Sequence, residues 1–310
     1  MQYLTLALDA SCDLPNAVYQ RFELSTLPLA WLANPTEWSP DDRSIAITDA
    51  WYQLAANTSP TLPLHDLNQD TRLSQALENH WLLNSDGALV VTPAKHRHPG
   101  YHHWNHQATI LQPQLDRIRH AANLHSHFRL RVMDSGHTLA AYGLLVQEIA
   151  RLHRDEGLSI DKLRRPLLAF APRIRHIYST PAAANSMRTL EKPVFPNVNW
   201  LQRALLNHQQ SYPIFQVLDG QEERIGRATA ADPITPVVEQ ICATLEASRL
   251  NCPAVNASFA GDTDPLQQHP AVRRLHQLVT RQGGHLWLSR MSGSSAYLFG
   301  KGAFSVAFVN

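Results

Sequence analysis

The chain has 310 residues, enough for two ordinary domains that each bury a core of their own. Its 27 basic and 26 acidic residues leave a formal charge of +1, which removes the electrostatic case for nucleic acid or an anionic membrane as the main partner. No apolar run approaches the ~18–20 residues that span a bilayer, and Met1-Gln2-Tyr3-Leu4 lacks the basic-then-apolar pattern of a signal peptide, so a soluble cytoplasmic protein without membrane insertion is expected.

In chain order, short apolar strands are predicted at 3–8, 27–31, 88–92 and Arg129–Asp134. Helical spacing falls between them at 48–56 and 67–83, the alternation of a parallel sheet covered on both faces. The segment 139–153 is the clearest helix, with Leu144 and Leu145 on an apolar face and Glu148 and Arg151 on a polar one. Gly157 stops it and Ser159 caps the next helix, which places a domain boundary there and divides the chain into 1–157 and 158–310. The second half continues with elements at Ile174–Ser179, 200–207, 213–218, 234–247, Ala254–Phe259 and 270–282, then strands at 286–289 and Phe304–Val309. Asp219-Gly220 reads as a hairpin turn between an apolar strand and a polar one.

Cys12, Cys242 and Cys252 form no Cys-x-x-Cys pair and read as small buried thiols in a reducing compartment. Seventeen histidines are many, and His96, His98, His102, His103 and His106 fall within eleven residues that also hold Lys95, Arg97, Tyr101 and Trp104. Three imidazoles at such spacing can surround a metal, which opens the reading of a His-loop metal-dependent hydrolase. The cluster holds no Asp, Glu or Cys, and Pro99-Gly100 breaks a single helix through it, so a solvated loop is the expected structure and no metal is assigned. Asp9 and Asp13 straddle a turn, where backbone bonding by Asp9 and capping by Asp13 account for them better than acid-base chemistry. Asp134 and Ser135 close a strand and suit a helix cap. Neither a Gly-x-Ser-x-Gly elbow nor a Gly-rich phosphate loop is present, so hydrolase and nucleotide-binding motifs find no support.

Several short motifs recur in one order along nearly the whole chain. Asp9-Ala10-Ser11-Cys12-Asp13-Leu14-Pro15 follows the first strand; Leu27-Pro28-Leu29 and Thr58-Ser59-Pro60-Thr61-Leu62-Pro63 come next. Val132-Met133-Asp134-Ser135 precedes Gly143-Leu144-Leu145-Val146, Tyr212-Pro213-Ile214-Phe215 leads to Asp219-Gly220 and Arg227, and Phe299-Gly300-Lys301-Gly302-Ala303-Phe304 opens the last strand. In this order the chain resembles the DegV family of fatty-acid-binding proteins, as a divergent member. The resemblance implies two α/β domains: an N-terminal three-layer α/β/α domain with a mostly parallel sheet, and a C-terminal α/β domain with a mixed or antiparallel one. It also implies a long-chain fatty acid held in a tunnel between them and presented to a separate fatty-acid kinase, with no cofactor and no chemistry by the protein itself.

By the same resemblance Thr58 and Ser59 are the head-group donors, Asp9 and Ser11 stand at the mouth of the first strand, and Gly100 and Tyr101 take the place of a Ser-Gly-Thr. Departures concentrate at the polar anchors. Pro99-Gly100-Tyr101 lacks the family's hydroxyl, Glu191-Lys192-Pro193-Val194 replaces a Gly-Gly-Arg-Ile, a His position is Leu298 and a Pro position is Lys301. A Tyr101 phenol or a neighbouring imidazole is a replacement donor, and loss of lipid binding in favour of an interaction or regulatory role is the alternative. Burial at ~0.8 kcal/mol per methylene makes an apolar slot, expected to run from Thr58 toward the second domain, the source of affinity. Polar contacts worth ~1.5–3 kcal/mol fix orientation.

Overall fold

Both faces of the first sheet are covered, which is why its two central strands are mostly apolar. A computed structural model describes residues 3–27, 48–49, 52–53, 71–97, 100–181 and 211–310. In β1 (Leu4–Asp9), Leu4, Leu6 and Leu8 enter one core and Ala7 the opposite one. β3 (Gly87–Thr92) repeats the split, with Leu89 and Val91 against Ala88 and Val90. With β2 (Ser25–Leu27) and β4 (Arg129–Asp134) they form a four-stranded sheet of order β2-β1-β3-β4, parallel throughout. This is the expected parallel three-layer arrangement. α1 (Asn16–Phe22) follows β1, and α2 (Arg72–Ala76) runs into a π-helical turn, Leu77–Trp81. The predicted strand 27–31 and helix 67–83 lie partly outside the described residues, and the predicted helix 48–56 mostly so.

From Gly100 on, the histidine-rich stretch is helical where the sequence suggested a loop. α3 (Gly100–Ala121) carries His102, His103 and His106, whereas 95–97 form a turn, so no single helix runs through the described part of the cluster. Its apolar stripe is thin, Trp104, Ala108 and Leu115, with the deficit met by buried polar side chains. Arg119 is 3% exposed and donates to the carbonyls of Leu82, Ser85 and Ser126, satisfying helix-end acceptors that would otherwise be orphaned.

α4 (Leu139–Arg154) is buried at every position from 139 to 146 because it packs between two sheets. On one side it meets Leu6, Leu8 and Val91 of the first sheet, on the other Ile174, Ala307 and Val309 of the second. The second sheet has six strands: β5 (Ile174–Ser179), β6 (Ser211–Leu218), β7 (Gln221–Thr229), β8 (Ala254–Phe259), β9 (His285–Arg290) and β10 (Phe304–Val309). Their order is β7-β6-β5-β10-β8-β9, antiparallel except for β8 with β9, which makes the sheet mixed. α6 (Thr235–Glu246) and α8 (Pro270–Arg281) cover its outer face through Val237, Ile241, Val272, Leu275 and Val279.

α5 (Ile160–Phe170) packs on α4 through Leu163 and Leu167, and its N-cap Ser159 has extended backbone but makes no side-chain cap bond, contrary to expectation. Two short helices, α7 (Thr263–Gln268) and α9 (Gly293–Phe299), had no sequence signal of their own. Each is started by a local polar cap: Asp262 accepts from Asp264 N and Ser292 from Ser295 N. The Asp219-Gly220 hairpin forms as predicted, with Leu218 opposite Gln221 and both turn residues at positive φ, 50° and 71°. Gly220→Ala puts a Cβ into that left-handed geometry and is expected to cost about 1 kcal/mol in urea unfolding, with Gly220→Asn costing less.

Candidate functional site

The exit of β1 is fastened across the seam between the sheets. Asp9 Oδ1 accepts from the Ser11 amide at 3.0 Å and the Ser11 hydroxyl at 2.7 Å. Tyr142 of α4 donates to the Val91 carbonyl at 2.5 Å and accepts from the Asp9 amide at 3.2 Å. Asp13 does not cap α1, whose N-cap is Pro15; its Oδ1 accepts from the Ser292 amide of the second domain at 2.8 Å. Ser295 Oγ donates to the Ser11 carbonyl at 3.1 Å, and Asn256 Nδ2 donates to the carbonyls of Asp13 and Ala140, both at 2.9 Å. These bonds span up to 284 residues of sequence. They hold the turn after β1 against β8 and α9.

A part-buried ion pair crosses the same seam nearby. The loop after β3 is tied down by Ala94 N to His137 O at 2.9 Å and Lys95 N to Asp134 Oδ1 at 3.1 Å. It thereby aims Arg97 at the second sheet, where Arg97 Nη2 lies 2.6 Å from Glu222 Oε1 with the side chains 14% and 10% exposed. The Tyr178 hydroxyl donates to the same Glu222 oxygen. Burial opposes the Arg97 charge, but the adjacent Tyr178 and Glu222 outweigh it and hold the guanidinium above its ordinary pKa. Burial also raises the Tyr178 phenol well above its usual range, so it is a proton donor at neutral pH. His176 stacks on Tyr178 with centroids 4.9 Å apart and meets Ser305 Oγ at 2.8 Å. Burial, aided by His137 and Arg97, pushes its imidazole down to about 3.

Arg97, Ser11, Thr138, Leu139, Ser295 and Phe299 border a cleft of about 20 Å³ in the seam. That is room for about one water-sized group. Leu139 enters α4 at φ 53°, a left-handed geometry that a β-carbon disfavours, and does so on the cleft wall. A wider groove of about 580 Å³ lies apart from it, between β4 and α5, with Val132, Met133, Leu163 and Leu167 among its walls.

The sequence candidates are distributed unevenly over this geometry. Asp9 and Ser11 are in the seam, and Ser11 borders the cleft. Gly100 is buried at the start of α3, and Tyr101 is half-buried beneath Lys95 Nζ, 5.7 Å from the ring centroid. Thr58 and Ser59 lie outside the described residues, as does His98. The histidines of α3 diverge: His103 is buried beside Trp104 at 4.6 Å, whereas His102 and His106 are exposed. Among the described residues no group of three or more His, Cys, Asp or Glu is gathered as a metal site. Cys12, Cys242 and Cys252 are buried.

No family model matches the chain. A DegV domain-containing protein of Xanthomonas campestris is 23% identical over 98% of this chain and 96% of its own length. The Streptococcus pneumoniae fatty acid kinase B3 protein, solved with linoleic acid, superposes with a TM-score of 0.69 at 12% identity over 99% of both chains. A DegV family protein from Eubacterium eligens loaded with heptadecanoic acid gives a TM-score of 0.67 at 13% identity, again over 99% of both chains. The chain has the DegV fold.

Within this DegV fold, the opening motif Asp9 to Pro15 supplies the turn that Asn256, Ser292 and Ser295 grip from the second sheet. Sequence reasoning missed Arg97, Tyr178 and Glu222. Arg97 was hidden among histidines, and its partner lies 125 residues away. The only local signal was an acidic residue two places beyond a hairpin Gly, where an exposed charge is the ordinary occupant. No helix among the described residues is long and apolar enough to cross a membrane.

Proposed function

We propose that this protein binds a long-chain fatty acid between its two sheets and presents it to a partner of the fatty-acid kinase type, performing no chemistry itself. The observation that carries this reading is the end-to-end likeness to two proteins described as loaded with linoleic and heptadecanoic acid. The seam supplies groups suited to a carboxylate: the Arg97 cation and the Thr138 hydroxyl border one cleft. Three buried cysteines suit the reducing cytoplasm in which such a carrier would meet its kinase. Thr58 and Ser59 remain our proposed head-group donors on the strength of the sequence motif, with Tyr101 and the Gly100 amide as further candidates.

Native mass spectrometry of the protein purified from bacteria tests the reading. A bound mass equal to a C14 to C18 acid is expected, and a clean apo mass after growth with added fatty acid overturns it. One observation favours a second reading, a DegV fold that has given up lipid and acts through protein contacts. The seam cleft bordered by described residues holds only about 20 Å³, against the ~300–1,000 Å³ of usual small-molecule sites. The apo result would select that reading.

A further inference from the structure

We propose that the groove between β4 and α5 is a second binding site, separate from the seam, for an anionic single-chain amphiphile of the fatty-acid class. The site stands whether or not the seam holds a lipid, because the groove and the seam cleft share no lining residue among those described.

The size and lining of the groove point to a hydrocarbon chain. Its volume of about 580 Å³ falls within the ~300–1,000 Å³ of usual small-molecule sites. Leu89 of β3, Leu145 of α4, and Leu163 and Leu167 of α5 line it and are buried. Met133 of β4 and Leu168 of α5 continue this apolar lining outward, where Leu168 is 66% exposed. Leu89 belongs to the strand next to the edge, so the groove lies over the face of the sheet and not along the free backbone of β4. A peptide seated there would bring buried N–H and C=O groups for which these side chains are no partners, whereas a hydrocarbon chain brings none.

Charge at the rim sets the sign of the head group. Asp134, Asp161, Arg131 and Arg164 all border the groove, but the two acids are already engaged. Asp134 accepts from the Lys95 and Gly136 amides at 3.1 and 2.9 Å, and its other oxygen is 3.8 Å from Lys95 Nζ. Asp161 pairs with Arg129. Arg131 donates to the adjacent Leu130 carbonyl at 3.3 Å, and neither Arg131 nor Arg164 is ion-paired among the described residues. Two exposed guanidiniums, one from each wall, thus stand over an apolar cavity, which suits a carboxylate at the end of a hydrocarbon chain. Exposed cations add little affinity, so the chain sets the strength of binding and the head its direction.

Titration of the full-length, delipidated protein with decanoate, laurate and 1-dodecanol, read by native mass spectrometry, is paired with photolabelling by a diazirine-bearing laurate. Laurate is expected to bind about tenfold more tightly than decanoate, from its two further methylenes. Label is expected on the segments 131–135 and 160–168. Arg131→Glu combined with Arg164→Glu is expected to weaken laurate about tenfold and to leave 1-dodecanol within about twofold. Met133→Trp, which fills the groove, is expected to weaken both about tenfold or more. Should that variant fold poorly by circular dichroism, Leu168→Ser changes an exposed residue and is expected to weaken both about threefold. Label confined to the seam segments 9–14, 94–97 and 292–299, unmoved by the groove variants, overturns the groove site and leaves the seam reading standing. Label in the groove alone supports this site and counts against the seam, and an absence of any binding overturns both. A dimer in sedimentation that Met133→Trp dissociates identifies a second copy as the occupant and overturns the amphiphile.

Discussion

Gly143→Ala is expected to lower unfolding stability by about 3 kcal/mol or more, a Tm decrease on the order of 5–10 °C. Gly143 is on the face of α4 that meets the second sheet, and a Cβ there would stand 2.5 Å from Asn256 Nδ2 and 2.6 Å from the Asp13 carbonyl oxygen. One neighbour is backbone and the other is a side chain already committed to two carbonyls, Asp13 and Ala140. Neither retreats cheaply, so the helix must lift from the sheet or the amide must give up buried bonds at about 1–3 kcal/mol. Gly226→Ala is the control, because its added Cβ meets nothing nearer than Ile214 at 3.6 Å. It is expected to stay within about 1 kcal/mol of wild type. Equal urea midpoints for the two variants would refute the close approach at Gly143.

Acid is expected to destabilise this fold earlier than carboxylate titration alone would. His137 and His176 are 8% and 2% exposed, and burial pushes their imidazoles down to about 4 and about 3. In the unfolded chain both return to ~6.5. Between the folded and unfolded values the unfolded state binds the extra protons, so stability is complete above about pH 7 and falls as pH drops through 6.5 toward 4. At pH 5 each imidazole removes about 2 kcal/mol, since each unit of pH below 6.5 counts for ~1.4 kcal/mol. Urea unfolding at pH 7.5 and 5.0 measures the difference, and His176→Gln isolates one imidazole by removing its part of the slope. An unchanged slope in that variant would show His176 is not held neutral.

The parts of the fold that were legible in the sequence are those set by local physics. β4 was predicted at Arg129–Asp134 and is found there, because a short apolar run between turns has few other solutions. α4 was read from its period, and the Asp219-Gly220 turn from two residues that accept positive φ. α3 escaped because its helix is supported by Trp104 and by buried Arg119 and His103, which carry no hydrophobic periodicity. α9 escaped because seven residues rich in Ser and Gly make a helix only when Ser292 caps them and Asp13 grips the preceding amide.

Of the seam, the opening motif was visible as a motif, yet its physical role was not. Asp13 looked like a cap for the helix beside it and instead accepts an amide 279 residues away. The Arg97, Tyr178 and Glu222 cluster had no sequence signature, since each residue alone is an ordinary surface or strand residue.

By itself the sequence determined the alternation of strands and helices, the parallel first sheet, the hairpin of the second and a likeness of motifs to DegV proteins, because periodicity and turn chemistry act over a few residues. Only the tertiary structure decided that one helix is shared by two sheets and that a cation on the loop after β3 meets a carboxylate of the second sheet. Burial and pairing energies depend on what lies across a contact, and that neighbour can be 125 or 279 residues distant.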